Sequence, residues 1–312
     1  MKPFKSGLSE VLAGWMRRPA RFWFWSDRNF RFYRERECYS KGADSECHVA
    51  GFVFPGNGNH GSARLDKSIE DQLSKGIRFF DLRVAHKPND PSDDLYFTHV
   101  IYTHLTVLKT LECVEHWLNS HPKEVVILAC SHFEGMDDAC HELFISHLKK
   151  LFCSKLCPRK EPVLSLRSLW ASGYQVILSY ESQLVARHPQ LWPAIPYWWA
   201  NKTTAQEVIR YLDWNKDMGR PEGFFVSGLN LTAPRSYIAK NPKESLRTLT
   251  FSNWECLREW VEQQRPGSDP HSLNIIAGDF VGPLPLCSLV IGLNHKLRPK
   301  ISARPMKEQQ QQ

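Results

Sequence analysis

The chain has no long hydrophobic run: none of its apolar stretches approaches the roughly 18 residues that a bilayer-spanning helix needs. The segment after Met1 lacks an apolar signal core followed by a small-residue cleavage site. The first absence excludes a helical span, and the second leads to the expectation of a cytoplasmic protein, peripheral at membranes at most. A disulfide framework is missing too. Nine cysteines are an odd number, and Cys113, Cys130, Cys140 and Cys256 fall in apolar segments, as reduced core thiols do. Cys153 and Cys157 have no second spaced pair, and neither His116 with His121 nor His141 with His147 has the i, i+4 spacing of a helical zinc site. No metal site is expected. No repeat and no interdomain linker interrupts the chain, and low complexity is confined to Gln309–Gln312.

What is present makes a globular protein. Of the 312 residues, 42% are hydrophobic, 12% aromatic and 23% charged, enough apolar material for a sizeable core. Forty basic residues against thirty-three acidic ones leave a net charge of +7, which favours phosphate-rich partners such as an anionic membrane surface. Residues 1–48 crowd Arg17, Arg18, Arg21, Trp23, Trp25, Arg28, Arg31 and Tyr33 together without clean periodicity and form a poorly defined basic, aromatic leader, suited to lie on a membrane. Residues 49–300 are the folded domain, and 301–312 a disordered tail.

Within 49–300, short β-rich runs alternate with helical patterns. The runs are His48–Phe54, Ile77–Val84, Leu95–Tyr102, Glu124–Ser131, Tyr174–Tyr180, Ile195–Trp199, Phe224–Leu229 and Leu273–Phe280. Helical patterns occupy 65–75, 106–120, 137–152, 165–172, 204–218, 253–264 and 286–297. Such alternation predicts βαβ crossovers, a parallel sheet and an α/β barrel of the TIM-like (β/α)8 kind.

In a barrel the reactive groups gather at the C-terminal ends of the strands. Asp81 and Arg83 stand two apart on one strand and so share a face. His99 lies between Phe97 and Tyr102, and Asp279 ends the last run. A guanidinium that neutralises phosphate oxygens, an imidazole that protonates a leaving oxygen and carboxylates that orient their neighbours would serve phosphoryl chemistry. A buried Asp–Arg pair and a core histidine account for the same residues structurally. Glu181 and Tyr180, at another strand end, are candidates for binding ring hydroxyls.

The runs Gly76-Ile-Arg-Phe-Phe-Asp-Leu-Arg-Val-Ala-His86, Leu95-Tyr-Phe-Thr-His-Val-Ile-Tyr102 and His121-Pro-Lys-Glu-Val-Val-Ile-Leu128 resemble the X domain of phosphatidylinositol-specific phospholipase C. Leu178-Ser-Tyr-Glu181, Pro196-Tyr-Trp-Trp199 and Ile275-Ile-Ala-Gly-Asp-Phe280 resemble the small cytosolic proteins that consist of that domain. The likeness spans about residues 65–298. It implies a distorted TIM barrel that cleaves phosphoinositides in two steps, the inositol 2-hydroxyl attacking phosphorus and diacylglycerol leaving. By resemblance His99 is the general acid and Arg83 the phosphate ligand that stands in for calcium, so no cofactor is expected. Asp81 is the accompanying carboxylate, and Asp279 the one that orients the other catalytic histidine.

One motif departs from the family. An Ile-Pro-Gly-Ser-His-Asp-like segment, whose histidine deprotonates the 2-hydroxyl, is not present. The nearest text is Phe54-Pro-Gly-Asn-Gly-Asn-His60-Gly-Ser62, with its histidine displaced by two residues and no Asp after it. His60 is therefore a poor base, and lowered turnover is expected of an atypical N-terminal element.

Three rivals stay open. Gly56-Asn-Gly-Asn-His-Gly61 fits G-x-G-x-x-G, with Asp81 twenty residues beyond, as in an NAD-binding Rossmann unit. A metal-dependent glycerophosphodiesterase would need a Glu-x-Asp pair where Asp81-Leu-Arg83 stands. A non-catalytic phosphoinositide-binding protein would use the same pocket, the basic leader and the Tyr197-Trp-Trp199 stretch. No nucleic-acid partner is expected.

Overall fold

Strands rich in Val, Ile, Leu and Phe followed by capped helices produce an α/β architecture in this computed structural model. It describes residues 21–24 and 56–58 through their backbone pairing, and residues 68–98, 102–161, 164–267, 269–280 and 283–297. The elements in chain order are β1 (Arg21–Phe24), β2 (Gly56–Gly58), α1 (Ile69–Ser74), β3 (Ile77–His86), β4 (Leu95–Thr98), β5 (Tyr102–Thr106), α2 (Val107–Ser120), β6 (Val126–Glu134) and α3 (Asp138–Phe152). There follow α4 (Leu166–Ser172), β7 (Val176–Tyr180), β8 (Leu191–Trp192), β9 (Tyr197–Trp199), α5 (Ala205–Met218), β10 (Val226–Gly228), α6 (Arg235–Lys240), α7 (Leu246–Gln263), β11 (Ile275–Ala277) and α8 (Leu286–Leu293).

Helices begin where a side-chain oxygen can take up a free backbone N–H. Thr106, Asp137, Ser165, Thr204 and Ser245 each accept such a bond at the start of α2, α3, α4, α5 and α7. Gly173, in the left-handed conformation at φ 73°, closes α4 and turns the chain toward β7.

The strands form two arcs. One runs β2-β1-β3-β6-β7-β8, and the other is the parallel set β11-β10-β9. β3, β6 and β7 are parallel, with Arg83 opposite Ser131 and Cys130 opposite Tyr180. β3 and β7 are buried along nearly their whole length and β6 over Val126–Cys130, so they are the sheet's centre, covered on both faces as parallel strands require. Helices outside the arcs complete a TIM-like α/β barrel. It is distorted: among the described residues no ladder joins β8 to β9.

The free edge of β3 is covered by two antiparallel partners. β1 pairs with its first half, Arg21 opposite Asp81, and β4 with its second, Val84 opposite Phe97. β4 and β5 correct the expectation of one parallel strand over Leu95–Tyr102. Only residues 87–94 separate β3 from β4, with Pro88, Pro91 and a left-handed Asn89 at φ 61°, too short for the helical crossover that a parallel return demands. The helix expected over 253–264 begins earlier, at its Ser245 cap, and α6 precedes it.

The G-x-G-x-x-G reading is overturned as well. Gly56–Gly58 is a strand paired antiparallel with β1, Trp23 opposite Gly56, rather than a phosphate-binding turn between a strand and a helix. The run His48–Phe54 lies outside the described residues.

Candidate active site

The alternation of side chains along parallel strands sets the site. Asp81, Ala129 and Ser179 are paired across β3, β6 and β7 and form one row on the inner face. One step nearer the C-terminal ends, Arg83 pairs with Ser131, and the backbone N–H of Glu181 bonds the Cys130 carbonyl at 2.9 Å, continuing the ladder beyond β7. Arg83, Ser131 and Glu181 thus gather at one level by strand register.

Hydrogen bonds join these rows. The Ser131 hydroxyl donates to Asp81 Oδ1 at 2.8 Å, and the Arg83 Nε lies 4.0 Å from Asp81 Oδ2. Asp81 is buried, whereas one fifth of the Arg83 side chain is open. A buried carboxylate thus lies beside a guanidinium whose surface is still accessible, an arrangement suited to an anion.

The sequence reading missed His132. Its Nδ1 lies 2.9 Å from Ser131 Oγ, and its backbone N–H donates to Glu181 Oε2 at 2.8 Å. Its only signal was a Ser-His pair interrupting an apolar strand, and simple alternation would have turned it away from Ser131.

Tyr180, a candidate for binding ring hydroxyls, has another partner in the structure. It is fully buried, its hydroxyl lies 2.7 Å from His141 Nδ1, and its ring packs beside Phe133 at 4.6 Å. Burial pushes the Tyr180 phenol up and the His141 imidazole down, so both stay neutral, with the phenol donating to the ring nitrogen. Glu181, half exposed, is left as the polar group at that strand end.

Asp279 stands in another hydrogen-bonded group, at the ends of β9, β10 and β11. Its Oδ1 accepts from Asn230 Nδ2 at 2.8 Å, and Asn230 Oδ1 accepts from the Tyr197 hydroxyl at 2.6 Å. Phe280, at φ 57°, packs on Phe251, over which Arg247 lies at 5.0 Å. Trp199, partly exposed, donates from its indole nitrogen to Thr232 Oγ1. His60 and His99 lie outside the described residues, although His99 directly follows Thr98 at the end of β4. Among the described residues no group of three or more His, Cys, Asp or Glu is arranged to hold a metal, and no helix is long and apolar enough to cross a membrane.

Known proteins share this sequence over most of its length. The chain is 46% identical over 230 residues to human PI-PLC X domain-containing protein 1, covering 73% of this chain and 71% of the human protein. To the protein 1 of Danio rerio it is 48% identical over 229 residues, 73% of this chain and 74% of the relative. The chain belongs to the PI-PLC X domain-containing proteins. Protein 3 of Danio rerio is 39% identical over 235 residues, 74% of this chain and 72% of that protein. No family model matches the chain.

Solved structures bear out the barrel. Phosphatidylinositol-specific phospholipase C from Staphylococcus aureus superposes with a TM-score of 0.54 at 12% identity, covering 79% of this chain and 90% of that one. The Listeria monocytogenes enzyme gives 0.50 at 16%, covering 73% and 82%. At such identities the likeness is one of fold. Membership of the X-domain proteins leaves the dinucleotide and glycerophosphodiesterase readings without support.

Proposed function

We propose that this PI-PLC X domain-containing protein is a phosphoric diester hydrolase of the phospholipase C type, acting on phosphoinositides or related phosphodiester lipids. The observation that carries this reading is the Asp81–Arg83 pair, a buried carboxylate beside a partly open guanidinium toward the C-terminal end of β3. Arg83 binds the phosphate and offsets the charge that builds on its oxygens as the 2-hydroxyl attacks phosphorus. His99 protonates the departing diacylglycerol oxygen, Glu181 binds ring hydroxyls, and Asp279 holds a polar neighbour in position through Asn230.

The missing Ile-Pro-Gly-Ser-His-Asp-like motif sets turnover below that of members that carry it, and it favours a second reading, lipid binding without cleavage. Phe251 and Trp199 near the strand ends, with Arg247 alongside, suit contact with an anionic bilayer, to which the basic leader adds.

The deciding measurement is release of water-soluble inositol phosphate from vesicles of phosphatidylinositol in phosphatidylcholine. We expect slow release by the full chain and its loss in Arg83→Ala. Vesicle binding with no release by the unaltered chain supports the second reading and overturns the first.

A further inference from the structure

A strand should present its side chains alternately to the two faces, and β6 breaks that rule at one place. Arg83 of β3 faces Ser131, yet Ala85 faces Glu134, so the single residue Val84 spans His132 and Phe133 on β6. β6 therefore carries a bulge, rare between parallel strands and frequent beside active sites. His132 takes it up in the left-handed region at φ 50°, which residues other than glycine enter at an energetic penalty.

The bulge gives each neighbour a different outlet. Phe133 turns to the outer face, where its ring meets Tyr180 at 4.6 Å and His141 at 4.7 Å. His132 is left on the inner side, its Nδ1 beside Ser131 Oγ, with 60% of its side chain open to solvent. An exposed imidazole adds little to core packing, so the strained backbone has no evident return in stability. It does place a titratable ring beside the residue paired with Arg83.

Hydrogen-bond direction then selects the tautomer. The Ser131 hydroxyl gives its proton to Asp81 Oδ1. Having one proton, Ser131 has none left for the ring, and its oxygen must accept from His132. Nδ1 consequently carries the hydrogen, and Nε2 carries a lone pair. Glu181 Oε2 lies 3.7 Å from Nδ1 and accepts from the His132 backbone N–H, holding this residue in place. A carboxylate, a relay hydroxyl and an imidazole whose far nitrogen takes no hydrogen bond among the described residues is the arrangement of a general base.

We infer that His132 is the catalytic base of this protein, taking the proton of the attacking inositol hydroxyl, with Ser131 as its positioning residue. This deepens the phosphodiester reading above and rests on it. In the step, the hydroxyl proton moves to His132 Nε2 as the inositol oxygen bonds to phosphorus. The bond from phosphorus to the diacylglycerol oxygen breaks, and that oxygen takes its proton from the general acid, assigned above to His99. His132 supplies a proton acceptor in a chain whose family base motif is missing.

Two measurements on the full chain test the assignment. His132→Asn keeps a residue that tolerates the left-handed backbone but has no basic nitrogen. It should lower inositol phosphate release from phosphatidylinositol vesicles by about 10²- to 10⁴-fold while vesicle sedimentation with the protein is unchanged. Long-range proton–nitrogen correlation spectra should show neutral His132 protonated at Nδ1, and Ser131→Ala should remove that preference and lower kcat with little change in KM. Release by His132→Asn at the unaltered rate, alongside loss in Arg83→Ala, refutes the base assignment and leaves the phospholipase reading standing. A neutral ring protonated at Nε2 in the unaltered chain refutes it too. No release by the unaltered chain brings down both.

Discussion

Tyr180 and Glu181 are neighbours in sequence with different tasks, because one step along a strand exchanges core for mouth. The Tyr180 hydroxyl serves His141, and its ring sits among Phe133 and Phe144. Tyr180→Phe removes that donor and takes the partner from a ring nitrogen of the half-buried His141. We expect a loss of about 1–3 kcal/mol in chemical denaturation, with KM for phosphatidylinositol unchanged. A raised KM with undiminished stability would return Tyr180 to the lipid site. The same single step explains why Asp81 and Arg83 were legible beforehand: an i, i+2 pair in a strand shares a face whatever the rest of the fold does. His132 was hidden for the converse reason, since its direction depends on a bulge that no local pattern announces.

Elements were legible where period and caps agreed. α2, α3 and α5 lie within a residue or two of their expected bounds, each opened by a Thr or Asp cap. α7 was read short because Thr248, Thr250, Phe251 and Ser252 dilute the helical pattern in its first turns, and packing of Leu246 and Leu249 overrides them. The run 95–102 looked continuous since nothing in it is a glycine or proline, yet it divides into β4 and β5. Among the short strands of the second arc, the approach of β10 to β9 is set by one glycine. A Cβ on Gly228 would lie 2.6 Å from the Tyr197 ring and 3.0 Å from the Trp198 carbonyl oxygen. Gly228→Ala must displace the ring whose hydroxyl holds Asn230 and, through it, Asp279. The expected penalty is about 1–3 kcal/mol of stability, together with a fall in inositol phosphate release beyond that of the folded fraction. Unchanged release per folded molecule would show that the Tyr197–Asn230–Asp279 group has no part in turnover.

At the scale of the whole barrel, chemistry and stability occupy opposite ends of the strands. The site is built at the C-terminal ends, while Arg78 and Glu124 pair at 2.8 Å where β3 and β6 begin, both almost wholly buried. Arg78 also donates to the carbonyls of Leu73 and Ile77 at 2.8 Å and lies 4.6 Å from the Trp117 ring centroid, tying α1, α2 and the first arc together. Sequence alone gave no notice of this pair, because its partners are 46 residues apart and look like ordinary surface charges flanking strands. Removing one buried partner strands the other charge away from water, which typically costs about 3–5 kcal/mol, whereas replacing both with apolar groups of similar volume is often close to neutral. Glu124→Ala is therefore expected to lower unfolding free energy by that amount, and Arg78→Met with Glu124→Leu to lose much less than the two single changes added together. Urea denaturation of Glu124→Ala, of each single change and of the double variant measures the coupling. KM for phosphatidylinositol should stay level throughout, since the pair sits at the far end of β3 from Arg83. Additive losses would show that the carbonyl bonds and the Trp117 contact, rather than the ion pair, hold this end of the barrel.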